Sequence, residues 1–200
     1  MKQSKIVLTL AVLLAVFSSA GIATAQVAMP TATRTLQLSA FGGVSGVYTG
    51  PSGGKNLSII AGADLGLASW RGIRPEIEAR GVYPLDKGSI DSQRSILGGL
   101  KVDFLLNHRL RPYGDILFGR GEMDYQPGYL FNNEVYQLTT TNVYSGGGGV
   151  DYDLNERFAI KADAQIQRWG YAPTPSGNLY SKLGTVGVIY RFNFGTRRRR

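Results

Sequence analysis

Any chemistry in this chain has to be built from few reactive side chains. Its 200 residues include one histidine, His108, and no cysteine. That removes disulfides, thiolate metal sites and cysteine nucleophiles, and a single imidazole excludes a multi-histidine metal centre. A serine-type triad needs histidine, hydroxyl and acid in one place. Arg109 and Leu110 follow His108, and the Asp91-Ser92 pair lies more than ~30 Å away along an extended chain at ~3.3 Å per residue. No triad forms from these three, and no enzyme activity is expected. Four glycines, Gly146 to Gly149, precede neither a Gly-Lys-Ser/Thr run nor a helix, so they are not a phosphate loop. Strand curvature or close side-chain packing suits them better. Asp151 and Asp153 alternate on one face and with Asp163 could hold a cation, but a salt bridge to a residue such as Lys161 is the simpler fate. No motif binds a cofactor.

Composition shows what must position these groups. Charged residues are 18% of the chain and glycines number 27, which is the composition of strands and turns rather than helices. The formal charge of +8 points first to nucleic acid, but its distribution does not. Lys2 and Lys5 sit at one end and Arg197 to Arg200 at the other, so of the 22 basic residues about 16 remain in between, nearly balanced by the 14 acidic ones. Lys2 and Lys5 precede an apolar run from Ile6 to Phe17, then small residues ending Ala23-Thr24-Ala25. This is the anatomy of a secretory signal peptide over residues 1–25. The mature chain is expected to begin at Gln26, with 26–34 as a periplasmic N-terminal segment. Export places the chain away from nucleic acid.

Beyond Gln26 the hydropathy alternates at period two in eight segments, the mark of half-buried strands. They are expected at 35–48, 56–68, 73–83, 93–105, 112–122, 138–153, 157–169 and 180–194. The seventh is the cleanest: Phe158, Ile160, Ala162, Ala164 and Ile166 alternate with Lys161, Asp163, Gln165 and Gln167. The connections run long, short, long, short, long, short, long. The longest spans Met123 to Gln137, and one tight turn lies at Ser69-Trp70-Arg71-Gly72. Even strand number with short turns on one side and long loops on the other predicts an all-β, eight-stranded, antiparallel up-and-down transmembrane barrel over 35–194. Residues 195–200 form a basic tail that could touch anionic phospholipid or acidic wall polymers, or simply remain solvated.

Alternation does not say which face points inward. A soluble barrel of the lipocalin type would keep its apolar face inside around a ligand. The aromatics favour the membrane. Trp70, Phe104, Tyr152, Phe158, Phe192 and Phe194 gather at the turn ends, and Tyr48, Tyr83, Tyr144, Trp169, Tyr171 and Tyr180 near the loop ends. Two such belts flanking an apolar band suit the two headgroup layers.

Three stretches then carry a family resemblance. The ending Val186-x-Val188-x-Tyr190-x-Phe192-x-Phe194, the Pro112-Tyr113-Gly114 strand opening and the close of the seventh segment at Arg168-Trp169-Gly170 resemble the small OmpA/OmpX-type outer-membrane barrel domains. The resemblance covers Thr35 to Phe194. It implies an outer-membrane location and a structural, envelope-integrity or adhesion role. It also implies that Tyr190, Phe192 and Phe194 form the ending read by the barrel-insertion machinery. The chain departs from the family pattern in that Gly195-Thr196 and four arginines follow that ending.

With the apolar parity facing outer-membrane lipid, the lumen should collect Asp64, Arg74, Glu76, Glu78, Arg80, Lys101, Asp103, Asp115, Asp151, Lys161, Asp163 and Arg191. Eight strands leave little room beyond side chains, so these groups are expected to plug the barrel. A narrow ion path past the carboxylates is the alternative. The loops have more scope for function. Tyr125, Tyr129, Phe131 and Tyr136, in the longest one, are the candidates for contact with an extracellular ligand. The expected protein is a monomer without a cofactor.

Overall fold

The computed structural model describes residues 36–49, 54–86, 91–106, 109–131, 133–170 and 177–192. The expected leader (1–25), the segment at 26–34, the basic tail, His108, Tyr171 and Phe194 lie outside them. Eight strands follow in chain order: β1 (Gln37–Tyr48), β2 (Lys55–Gly66), β3 (Ile73–Pro84), β4 (Asp91–Phe104), β5 (Leu110–Phe131), β6 (Glu134–Asp153), β7 (Phe158–Gly170) and β8 (Asn178–Arg191). Each pairs antiparallel with the next, and β1 pairs with β8 to close the barrel. Closure leaves no free sheet edge, as a bilayer requires of strands.

Local chemistry sets the short connections. Between β2 and β3, Trp70 and Ile73 exchange backbone hydrogen bonds of 2.8 and 2.9 Å across Arg71 and Gly72. Both central residues have positive φ, 50° and 81°, which is the two-residue hairpin turn whose twist matches that of the strands. Between β6 and β7, the Asn155 side chain accepts backbone N–H groups of Arg157 and Phe158, both at 2.8 Å. That local bond is why Asn starts turns.

Alternation holds along the strands. In β7 the side chains of Ala159, Lys161, Asp163, Gln165, Gln167 and Trp169 are buried, and their neighbours from Phe158 to Arg168 are exposed. The exposed set over the barrel is apolar, including Ile59, Ile77, Ile96, Leu100, Ile116, Phe118 and Val186. The apolar face therefore points outward. Trp70, Phe104, Tyr152, Phe158 and Phe192 are exposed at the turn end, and Tyr48, Tyr83, Tyr144 and Tyr180 at the loop end. Trp169 is a correction. It was expected in the loop-end belt, but it is 1% exposed and points inward, because it shares the parity of Lys161 and Gln165.

The second correction concerns the longest loop. Met123 to Gln137 is not a loop: β5 runs on for 22 residues and β6 for 20, where β1, β2 and β3 have 12 each. A register shift between Asp124 and Tyr129 interrupts the ladder, and pairing resumes from Tyr129↔Tyr136 to Phe131↔Glu134. Asn133 takes φ of 65° in the turn, a conformation that Asn tolerates. Among the described residues, β5 pairs with β4 no further than Tyr125, and β6 pairs with β7 only from Val143 on. Beyond those points the hairpin pairs with itself.

The β1–β8 seam differs from the rest of the lumen wall. The inward residues of β1 are Ser39, Phe41, Gly43, Ser45 and Val47, none of them charged. On β8 the inward row from Leu179 to Ile189 is likewise neutral, and Arg191 at the turn end is its one charge.

Candidate functional site: the barrel lumen

Parity brings inward charges from β2 to β7 into two tiers. The tier nearer the turn end is centred on Lys101. Its Nζ lies 3.1 Å from Asp151, 3.2 Å from both Glu76 and Asp103, and 3.5 Å from Asp64. Register explains the convergence: Lys101 sits directly opposite Glu76 on β3, beside Asp103 on its own strand, and reaches across the lumen to β2 and β6. The ammonium also stands 4.4 Å from the centre of the Tyr113 ring. Lower still, Asp153 receives Arg111 at 3.1 Å and also pairs with Arg191, while Arg111 lies 3.8 Å from Asp103.

The second tier is built on Arg80. Its guanidinium meets Glu78 at 2.6 Å, Asp163 at 3.0 Å and Asp115 at 3.5 Å. Gln165 donates to both oxygens of Asp115 at 2.9 and 2.7 Å, and the Tyr113 hydroxyl donates to Asp163 at 3.1 Å. Lys161 is 4.0 Å from Glu78 and stands between two rings, 4.2 Å from Tyr113 and 4.7 Å from Phe41. Ring faces attract a desolvated ammonium.

Glycines make room for this tier. A Cβ on Gly147 would come within 2.3 Å of the Ala164 carbonyl oxygen and 2.6 Å of the Gln165 side chain, and one on Gly149 within 2.7 Å of the Tyr113 hydroxyl. The glycine run thus gives up side-chain volume to the polar groups opposite.

All twelve expected lumen residues point inward, but they do not form one cluster. Ten make up the two tiers. Arg74 donates instead to Gln37 at 2.6 Å, and Arg191 sits with it at the turn-end mouth, where a space of about 500 Å³ opens between Gln37, Arg74, Arg111, Asp153 and Arg191. Lys161 is not the partner expected for Asp151, Asp153 and Asp163. Those carboxylates go to Lys101, to Arg111 with Arg191, and to Arg80. They do not converge on a common point, and no cluster among the described residues could hold a metal ion. Arg111, Asp153, Tyr113 and Gln165 complete the tiers. Parity reaches Tyr113, Asp153 and Gln165, whereas Arg111 precedes the expected fifth segment at 112–122 and enters the wall because β5 starts at Leu110.

Toward the loop end the lumen turns neutral. Leu97, Leu117, Met123, Tyr125, Val143, Trp169 and Leu179 pack together in full burial. A Cβ on Gly121 would be 2.4 Å from the Trp169 ring, so the indole takes the space a side chain there would fill. Ser181 donates to Gln93 at 3.0 Å, and Thr185 to Ser45 at 3.1 Å. Tyr125, expected as an outward contact residue, is 7% exposed and its hydroxyl lies 3.4 Å from the Met123 sulfur. It lines the lumen because it shares the parity of Met123. Tyr129, Phe131 and Tyr136 belong to the extended hairpin, where Tyr129 and Tyr136 are direct partners; their side chains lie outside the described residues. On β8, Tyr190 packs on Phe158 and Phe192, with ring centres 5.2 and 5.0 Å apart.

A closed eight-stranded barrel with lipid-facing apolar residues, aromatic belts and a charged lumen defines a class, the small transmembrane β-barrels. The family described as "Outer membrane protein beta-barrel domain" matches residues 9–192, and the chain belongs to it. It is therefore a protein of the cell outer membrane, surrounded by that membrane's lipids. The barrel is similar to the crystal structure of Neisserial surface protein A, at 15% identity and a TM-score of 0.57, over 78% of this chain and 97% of that one. It also matches the attachment invasion locus protein Ail of Yersinia pestis (12% identity, TM-score 0.46, 78% and 97% covered) and the outer membrane enzyme PagL (12%, 0.47, 78% and 99%). These likenesses concern the fold. No curated protein sequence matches the chain.

Proposed function

We propose that this is a non-catalytic, monomeric surface protein, a plugged barrel that holds out the β5–β6 hairpin to contact a partner at the cell surface in adhesion or envelope support. The hairpin carries the reading. From Tyr125, where β5 leaves β4, to Phe131 it advances about 20 Å at ~3.3 Å per residue, and its Leu130 and Val135 are 66% and 63% exposed. Exposed apolar side chains on a rigid projection suit recognition. The lumen supports the plugged half of the proposal. Around Lys101 and Asp151 the internal space is about 10 Å³, which is room for about one water. The Tyr190, Phe192 and Phe194 ending serves as the mark for the insertion machinery.

The test replaces residues 126–137 by an Asn-Gly turn, leaving Met123 and Tyr125 in place. Cells displaying the full chain should adhere to matrix-coated surfaces, and cells displaying the shortened chain should not, while both barrels keep heat-modifiable migration on gels. Equal adhesion by the two would reject the hairpin as the contact element. Steady single-channel conductance of the purified barrel in planar bilayers would reject the plug.

A further inference from the structure

The outer wall of the barrel carries a groove that the lumen and the hairpin do not use. It lies on the loop-end half of the lipid-facing surface, across β2 to β5, and encloses about 570 Å³. Register creates it. Ala61 on β2 is directly opposite Gly81 on β3, and Gly81 is opposite Ile96 on β4. Two minimal side chains side by side leave a trench, walled by Ile59 and Tyr83 on one side and by Ile96, 77% exposed, on the other. Toward the loops the wall changes character. Ile96 is opposite Arg120 on β5, and Arg94, two residues along β4, faces the same way. Arg94 pairs with Glu122, whereas the Arg120 side chain makes no hydrogen bond or ion pair among the described residues. The groove lining there holds two guanidiniums and one carboxylate, with Asp124 next along β5 also acting on Arg94, at the level where the Tyr83 and Tyr144 belt marks the headgroups.

We infer that this groove is a binding site for a phosphorylated, multiply acylated glycolipid of the outer leaflet, with an acyl chain laid over Ala61 and Gly81 and a phosphate held by Arg120 and Arg94. An apolar trench alone would take any acyl chain. The paired guanidiniums at its upper end select a phosphate, which they match in charge and in planar donor geometry. Their position on the loop-end side selects the outer leaflet. Arg168 and Lys182 are also exposed toward the loop end, on β7 and β8, and there Arg168 is bonded to Asn178 at 3.1 Å.

The test uses the folded full chain in detergent with bisphosphorylated hexa-acyl lipid A as probe, phosphatidylglycerol as competitor and native mass spectrometry as readout. One lipid A per barrel should be retained, and phosphatidylglycerol should not displace it. Arg120→Gln with Arg94→Gln should weaken retention about tenfold. Gly81→Leu should remove it with the charges intact. A Cβ at Gly81 meets nothing nearer than the Ala61 carbonyl oxygen at 3.7 Å, so the new side chain fills the trench without a clash. Lys182→Gln should change nothing. Wild-type retention in both the double arginine variant and the glycine variant would overturn the inference. So would equal retention of phosphatidylglycerol, which would mean a generic anionic surface. Should Gly81→Leu fail to fold, the arginine pair decides alone.

Discussion

The two halves of the lumen solve the same filling problem with different materials. The turn-end half holds Lys101, Arg80 and Lys161 against seven buried carboxylates, tied across six strands. The loop-end half is filled by Trp169, Met123, Val143, Leu97 and Leu117, with hydroxyl and amide pairs such as Ser45–Thr185. Burying charge is costly unless every partner is present, whereas apolar packing loses stability only in proportion to what is removed. The lower half should therefore be intolerant of any single deletion and the upper half should degrade gradually. The lower half also discriminates more strongly between closed and misregistered barrels, since a one-residue slip sends a strand's charges into lipid.

The sharpest challenge to that contrast is Lys101→Met. It leaves Asp64, Glu76, Asp103 and Asp151 without their shared cation and should cost about 3–5 kcal/mol, read as a lowered urea midpoint for the barrel folded in vesicles. Trp169→Ala should follow at about 3 kcal/mol, the lower end for emptying a large aromatic from a packed site. If Trp169→Ala proves costlier than Lys101→Met, the contrast is wrong. Double-mutant cycles refine it. Arg80 with Asp163 should couple by about 2 kcal/mol and Ser45 with Thr185 by about 0.5 kcal/mol, each within the range for contacting pairs. The smallest effect belongs to the hairpin beyond the barrel. Removing residues 126–137 should move stability by less than about 0.5 kcal/mol, which would separate the projection from the scaffold that carries it.

Parity made most of the scaffold legible in the sequence. Strand number, closure and the inward direction of residues such as Asp64, Glu78 and Lys161 follow from period two once the apolar face is assigned to lipid. The losses have specific causes. Pro127 and Gly128 look like turn residues, and the register shift at Asp124 breaks the alternation, so a continuous hairpin reads as a loop. Trp169 sits near a loop, where belt aromatics are expected, although its own strand's odd-numbered residues all face inward. The pairing of charges was not legible at all. Parity says that Asp151 and Lys161 share the lumen, but which cation reaches which carboxylate depends on side-chain paths across the barrel. The outer groove was equally hidden, because two small residues 20 positions apart become neighbours only through the β2–β3 register.

The neutral seam between β1 and β8 has a consequence for how the barrel comes to be. Every other pairing joins sequence neighbours, whereas Ser45 and Thr185 meet across a separation of 140 residues. Joining β1 to β8 must wait for nearly the whole chain, and such distant closures are the slow events of folding. Until then the sheet is open and the carboxylates and cations of β2 to β7 can stay hydrated. On their inward faces the edges that must find each other present hydroxyls, glycines and apolar groups, with Arg191 alone at the turn end. The last step can thus zip inner faces that are nearly free of charge, and water leaves the charged tiers only when their partners are already in place.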